Sequence, residues 1–199
     1  MMPSSGILRH QNFSAVMARR QAVLIAGILV LFGVAARLGP HIPNATPVTA
    51  IAFVSSRYVG KRWSILLPGA IVLLSDLAIG FYDWRILASV YGSFVLIGAL
   101  SWISRRQRTA LSVGLPVIGA SLLFFLITNA AVWLFSPWYE KTLTGLFYSY
   151  TLGLPFLRNM LIGDIVYTSL LFGIFEIATA NFYPRAKLLA SVYSLDRRS

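Results

Sequence analysis

The chain has 199 residues, 57% of them hydrophobic and only 12% charged, with a mean hydropathy of +0.74. Soluble domains carry about a quarter charged residues, and several apolar runs here approach the ~20 residues that cross a bilayer, so the composition excludes an ordinary soluble domain and points to an all-α integral membrane protein. The net charge of +11 is spread as short basic groups between apolar runs, the pattern that membrane topology produces, which argues against nucleic acid as a partner and for membrane lipids.

In chain order, residues 1–21 are basic and polar and read as a cytoplasmic N-terminal segment. The apolar run 22–38 is the first of six predicted transmembrane helices, and Gly39-Pro40 ends it. A basic start before an apolar run also describes a signal peptide, with Val34-Ala35-Ala36 as its cleavage signal. The amount of membrane-like sequence that follows favours a retained helix. Ala18, Ala22 and Ala26 stand four apart and form a small-residue stripe, which lets another helix approach closely, either within the bundle or from a partner. The loop "GPHIPNATPVTA" (39–50) contains three prolines; such a stiff backbone suits a gate, a binding edge or a rigid turn.

The second span is short, 47–59, with a polar start. The third covers 65–81 and carries Asp76, the fourth 86–103, and the fifth 111–135 with Asn129. Residues 142–156, "TLTGLFYSYTLGLPF", are apolar but short and closed by Pro155. They read as an interfacial or re-entrant segment over the outer face. The sixth span, 159–180, begins with Asn159 and Asp164 and ends near Glu176, which is placed to snorkel or to pair with an inner arginine. The six spans form one domain over 22–183, followed by a basic cytoplasmic tail, 184–199. With the N-terminus inside, 13 of the 17 Lys and Arg residues fall on the cytoplasmic side, so both termini are expected there, in a bacterial inner membrane.

These directions give each polar residue a depth. Asp76, Asn129, Asn159, Asp164, Asn44, Thr46 and Thr49 all fall toward the outer face, and Tyr82, Trp84 and Trp133 lie on the same side. An aromatic belt and the lining of a pocket both fit these rings. A carboxylate within a membrane is costly and faces a bundle interior or a wet cavity, whereas Asn129 also fits a role as glue between helices. No cysteine and only His10 and His41 leave no disulfide, thiol nucleophile, thiolate zinc site or HExxH motif. Gly60-Lys61 lacks the frame of a P-loop. No cofactor, metal or catalytic constellation is expected, so an enzyme ranks last.

The strings "IPNATPVTAIAF" (42–53), "LLSDLAIGF" (73–81), "VYGSFVLIG" (90–98), "LLFFLITNAAVW" (122–133) and "PFLRNMLIGDIVYTSLLFG" (155–173) together form a pattern. It resembles an uncharacterised bacterial membrane family related to the substrate-binding S components of energy-coupling factor vitamin transporters. The resemblance implies an S-component-like bundle of six helices that captures a micronutrient near the external face and docks on a coupling subunit driven by two ATPases. It places Asn44, Thr46, Asp76, Asn129, Asn159 and Asp164 at the family's motif positions and implies docking through the alanine stripe. Two rival expectations stand beside it: a ligand-free inner-membrane scaffold, and an ion-coupled carrier using Asp76 and Asp164.

Overall fold

The computed structural model describes the backbone of residues 5–40, 42–104 and 110–196, and side-chain surroundings within 19–179 apart from 41 and 105–112. It is all-helical, with no strand among the described residues. The helices are α1 (Ser5–Leu38), α2 (Val48–Val54, continued by a π-helical turn Ser55–Val59), α3 (Trp63–Ile79), α4 (Trp84–Ser104), α5 (Ala110–Phe135) and α6 (Leu143–Asp196). Four stretches are long and apolar enough to cross a membrane: Arg19–Leu38, Trp84–Ser104, Val113–Phe135 and Leu143–Thr179. Val48–Val59 and Trp63–Ile79 are shorter apolar helices. Outward-facing side chains are as apolar as inward ones, with Leu31, Leu115 and Phe147 all more than two-thirds exposed, as expected of surfaces solvated by lipid.

One expectation changes. Residues 142–156 are not a separate interfacial piece, because α6 starts at Leu143 and runs straight through Pro155. The stretch is fastened to α5 by side chains: the Tyr150 hydroxyl donates to the Leu126 carbonyl at 3.1 Å and Ser149 to the Asn129 carbonyl at 3.0 Å. Ahead of the first span, α1 is already helical from Ser5, and its membrane-length stretch begins at Arg19.

The core is built around the shortest predicted span. Every residue from Pro47 to Ser56 is buried, and α2 packs against all five other helices. Its sequence, "VTAIAFV", has no polar face to offer solvent, and a helix apolar on all sides belongs inside. The flanking helices approach closely where side chains are small. Gly163 of α6 lies so near Ala45 that a Cβ there would meet the Ala45 Cα at 2.8 Å, and a Cβ at Gly98 of α4 would meet the Ser64 carbonyl of α3 at 2.7 Å. Buried hydroxyls join the same faces: Ser64 lies 3.0 Å from the Gly98 carbonyl and accepts from the Trp102 indole N–H at 2.9 Å.

The alanine stripe is partly spent on this packing. Ala26 is 3% exposed within the core, beside Leu29, and so is closed to an outside partner. Ala22 is half-buried, and the Ala18 side chain lies outside the described residues.

Two glycines of α6 separate packing from propensity. Gly163→Leu is expected to cost about 1–3 kcal/mol through overpacking. Gly173→Ala, where an added Cβ meets nothing within 4 Å, is expected to gain about 0.5–1 kcal/mol from helix propensity. Thermal unfolding of the two variants in the same detergent measures both; equal behaviour would refute the close approach of α6 to the loop before α2.

Candidate functional site

A cavity of ≈ 170 Å³ opens among the helices. Its polar wall comprises Arg37, Asn44, Thr46, Thr49 and Asp164, and its apolar wall Ile79, Phe94, Phe124 and Met160. Asn44 and Ile79 form the exposed rim. Phe94 and Phe124 meet with ring centroids 5.1 Å apart. The Pro-rich loop before α2 supplies one edge. Within it Asn44 holds φ 65°, the left-handed conformation that asparagine tolerates better than most residues. An Ala45 N–H bond to the Ile42 carbonyl at 2.9 Å closes the turn.

Asp164 is the buried acid of this site, 1% exposed. The Ser121 hydroxyl of α5 donates to its Oδ2 at 2.7 Å, and the Thr49 side chain of α2 hydrogen-bonds to it as well. Both partners are neutral. No Lys, Arg or His forms an ion pair with Asp164 among the described residues, where the salt bridges are Arg37–Asp76, Arg57–Glu176 and Arg85–Asp83. One turn further along α6, the buried hydroxyl of Thr168 has no hydrogen-bond partner.

Asp76 has a different role from Asp164. Its Oδ1 accepts from Arg37 Nη2 at 3.0 Å, while Arg37 Nε donates to Ser75 at 2.6 Å and the Tyr91 hydroxyl reaches Asp76 Oδ2 at 3.4 Å. Asp76 therefore stands behind the cavity wall and holds Arg37, which lines it. Arg37 and Asp76 close the adjacent ends of α1 and α3, so these helices run parallel, as the predicted topology requires.

The remaining predicted site residues disperse. Asn129 donates to the Phe125 carbonyl at 2.8 Å, and its side chain fills the space opposite Gly153, so it joins α5 to α6. At ~1.5 Å rise per residue it sits about 12 Å along α5 from Ser121, well outside the cavity. Trp133 donates its indole N–H to the Glu140 carbonyl at 2.9 Å, within the α5–α6 connection. Lys141 caps the end of α5, donating to the carbonyls of Trp133, Ser136 and Tyr139. Trp84 is 72% exposed, as a belt residue would be. Asn159 is half-buried on α6 and does not line the cavity. Tyr82, in the α3–α4 connection, is near enough to Asp76 to feel its charge: partial burial, helped by that carboxylate, pushes its phenol up to about 12.

The predicted single layer of polar groups thus becomes a local site plus separate packing contacts. Of the predicted polar layer, Asn44, Thr46, Thr49 and Asp164 line the cavity. Sequence reasoning missed Arg37, Ile79, Phe94, Phe124 and Met160. The signal for Arg37 was available, because an arginine and an aspartate sit at the same ends of two parallel spans. At the opposite end of the bundle Glu176 does meet an arginine: Arg57 lies 3.1 Å away, and the Tyr58 hydroxyl donates to the same oxygen at 2.5 Å. Among the described residues no group of three His, Cys, Asp or Glu side chains is placed to hold a metal.

An enclosed core helix, lipid-like outer surfaces and four membrane-length apolar stretches define a multi-pass helical membrane protein. Within that class the chain belongs to the family described as "Family of unknown function (DUF6580)", which matches residues 16–188. No curated protein and no solved structure matches the chain.

Removing one member of a buried ion pair strands the other. Asp76→Asn is expected to destabilise the protein by about 3 kcal/mol, the lower end of that range because Arg37 remains a fifth exposed. The double variant Arg37→Met/Asp76→Leu leaves neither charge unpaired and is expected to regain most of the loss. A double-mutant cycle by thermal unfolding tests this, and additive losses would rule out the pairing.

Proposed function

We propose that this protein is the capture subunit of a small-solute importer, resembling the S components of energy-coupling factor transporters, with six membrane spans and both termini in the cytoplasm of a bacterium. The cavity is the binding site. It combines a few convergent polar groups with aromatic and aliphatic walls, the composition of small-molecule sites in general. The single observation that carries the reading is Asp164, a carboxylate buried in the bundle yet forming part of a cavity wall. A buried acid kept only for packing would be enclosed on all sides. At ≈ 170 Å³ the cavity is smaller than the ~300–1,000 Å³ of drug-sized sites, so the solute is small or is held by one end. With no P-loop in the sequence, energy for uptake comes from a coupling subunit and its ATPases.

The ion-coupled carrier is weakened because Asp76, one of its two acids, is already paired with Arg37. The scaffold reading draws support from Asn129, whose side chain packs against Gly153 where α5 meets α6, but it gives the cavity no purpose.

Native mass spectrometry of the protein released gently from its own membranes tests capture. The expected result is a bound small molecule in the wild type that is absent from Phe124→Trp, which fills the cavity. A bare wild-type protein, or adducts that survive the filled cavity, would favour the scaffold. Topology is tested separately, and the absence of native cysteine makes the test direct. Glu140→Cys is expected to react with a membrane-impermeant maleimide on intact cells, and Lys61→Cys only after permeabilisation. Labelling of both from outside would overturn the six-span arrangement.

A further inference from the structure

The cavity wall carries formal charges of both signs, but they are not equally available. Arg37 gives Nε to Ser75 and Nη2 to Asp76, so its charge is met by a carboxylate standing outside the lining. Asp164 has only the hydroxyls of Ser121 and Thr49. With Asp164 ionised, the three groups together leave one negative charge in excess, and it sits at the most buried point of the lining. An ionised carboxylate inside a membrane protein is normally paired with a cation. Here the described residues supply none.

The surfaces around Asp164 favour one kind of cation. Phe94 and Phe124 stand on the apolar wall with centroids 5.1 Å apart, and Met160 adds a polarisable thioether. Aromatic faces attract ammonium groups through the ring quadrupole. A dehydrated inorganic ion would occupy little of ≈ 170 Å³ and would leave these rings unused. Resting on the capture reading, we infer that the captured solute is a small organic cation. Its positive nitrogen sits on Asp164, and its apolar body lies against Phe94, Phe124 and Met160.

Asn44 and Thr46 meet polar substituents near the rim, while Arg37 repels the cation from the opposite polar wall and so orients it. The two acids then act differently. Asp164 binds the charge of the solute, and Asp76 prevents Arg37 from cancelling that of Asp164.

The test uses the purified full chain in nanodiscs, titrated with an equimolar mixture of benzylammonium, benzyl alcohol and benzoate and read by native mass spectrometry. The three probes share a ring and differ in charge. The expected result is a dominant benzylammonium adduct in the wild type, weakened about tenfold or more in Asp164→Asn, the loss expected when a charged partner is removed. Ile79→Trp narrows the exposed rim without touching Asp164, so it guards against misfolding of the first variant; it is expected to reduce the same adduct while the protein stays folded. A dominant benzoate or benzyl alcohol adduct would overturn the assignment. So would a benzylammonium adduct unaffected by Asp164→Asn, its displacement by sodium chloride but not by choline chloride of equal ionic strength, or no adduct of any probe. The capture reading stands or falls separately, on the solute carried from native membranes.

Discussion

The bundle depends on the enclosure of α2. A short helix with no polar face, followed by a π-helical turn, has to be covered on every side, and the other five helices supply that cover. Much else in the structure follows from this demand. Gly163 lets α6 approach Ala45, Gly33 of α1 faces Ile51 and Ile71, and the serines of α2, α3 and α4 turn their hydroxyls to backbone carbonyls rather than to water. The cavity lies where cover becomes incomplete, at the start of α2, with the Pro-rich loop and the ends of α1 and α3 forming its rim. The site is thus a product of the same packing problem that builds the core.

Electrostatics then distinguishes positions that composition treats alike. The described acids at Asp76, Asp83 and Glu176 each meet an arginine, whereas Asp164 meets hydroxyls. Asp83 shows the ordinary case: exposed in the α3–α4 connection, its carboxyl is held low by hydrogen bonds from the Arg85 side chain and backbone, a contact of small energetic weight at a solvated surface. Burial without a countercharge makes Asp164 unlike the others. The same logic moves Asp76 from binding residue to positioning residue, since its contribution reaches the cavity through the orientation of Arg37.

Much of the helical architecture was legible in the sequence, because long apolar runs bounded by Gly, Pro and basic residues carry a strong signal. The third, fourth and fifth helices fall close to their expected ranges. The failures have specific causes. Residues 142–156 looked too short for a span, and Pro155 looked like a terminator. Proline is tolerated within membrane helices, and here α6 continues through Pro155 packed against α5. Asp164 and Asn44 were found because a buried acid and a Pro-flanked asparagine are locally conspicuous. Phe94, Phe124 and Met160 are ordinary apolar residues on apolar helices, and only the meeting of α4, α5 and α6 brings them to one wall. Asn129 was misplaced because depth along a helix says nothing about azimuth: it faces Gly153, not the cavity.

Polar contacts pin the helices to one another at several points. The α2 and α6 helices are joined at Thr49–Asp164 and again at Arg57 and Tyr58 with Glu176, two pins about 18 Å apart along α6 at ~1.5 Å per residue. The α5 helix joins this group through Ser121 and Asn129. Arg37 ties α1 to α3, and Ser64 ties α3 to α4. Two pins suppress rotation as well as translation of α2 against α6, and the Ser56 hydroxyl, bonded to the Ser101 carbonyl, ties α2 to α4 as well. The cavity lies among these contacts, with Arg37, Ile79 and Phe94 on one side and Thr49, Phe124, Met160 and Asp164 on the other. Anything that fills that space touches both sides at once, and so bears on how closely α1, α3 and α4 stand to α2, α5 and α6.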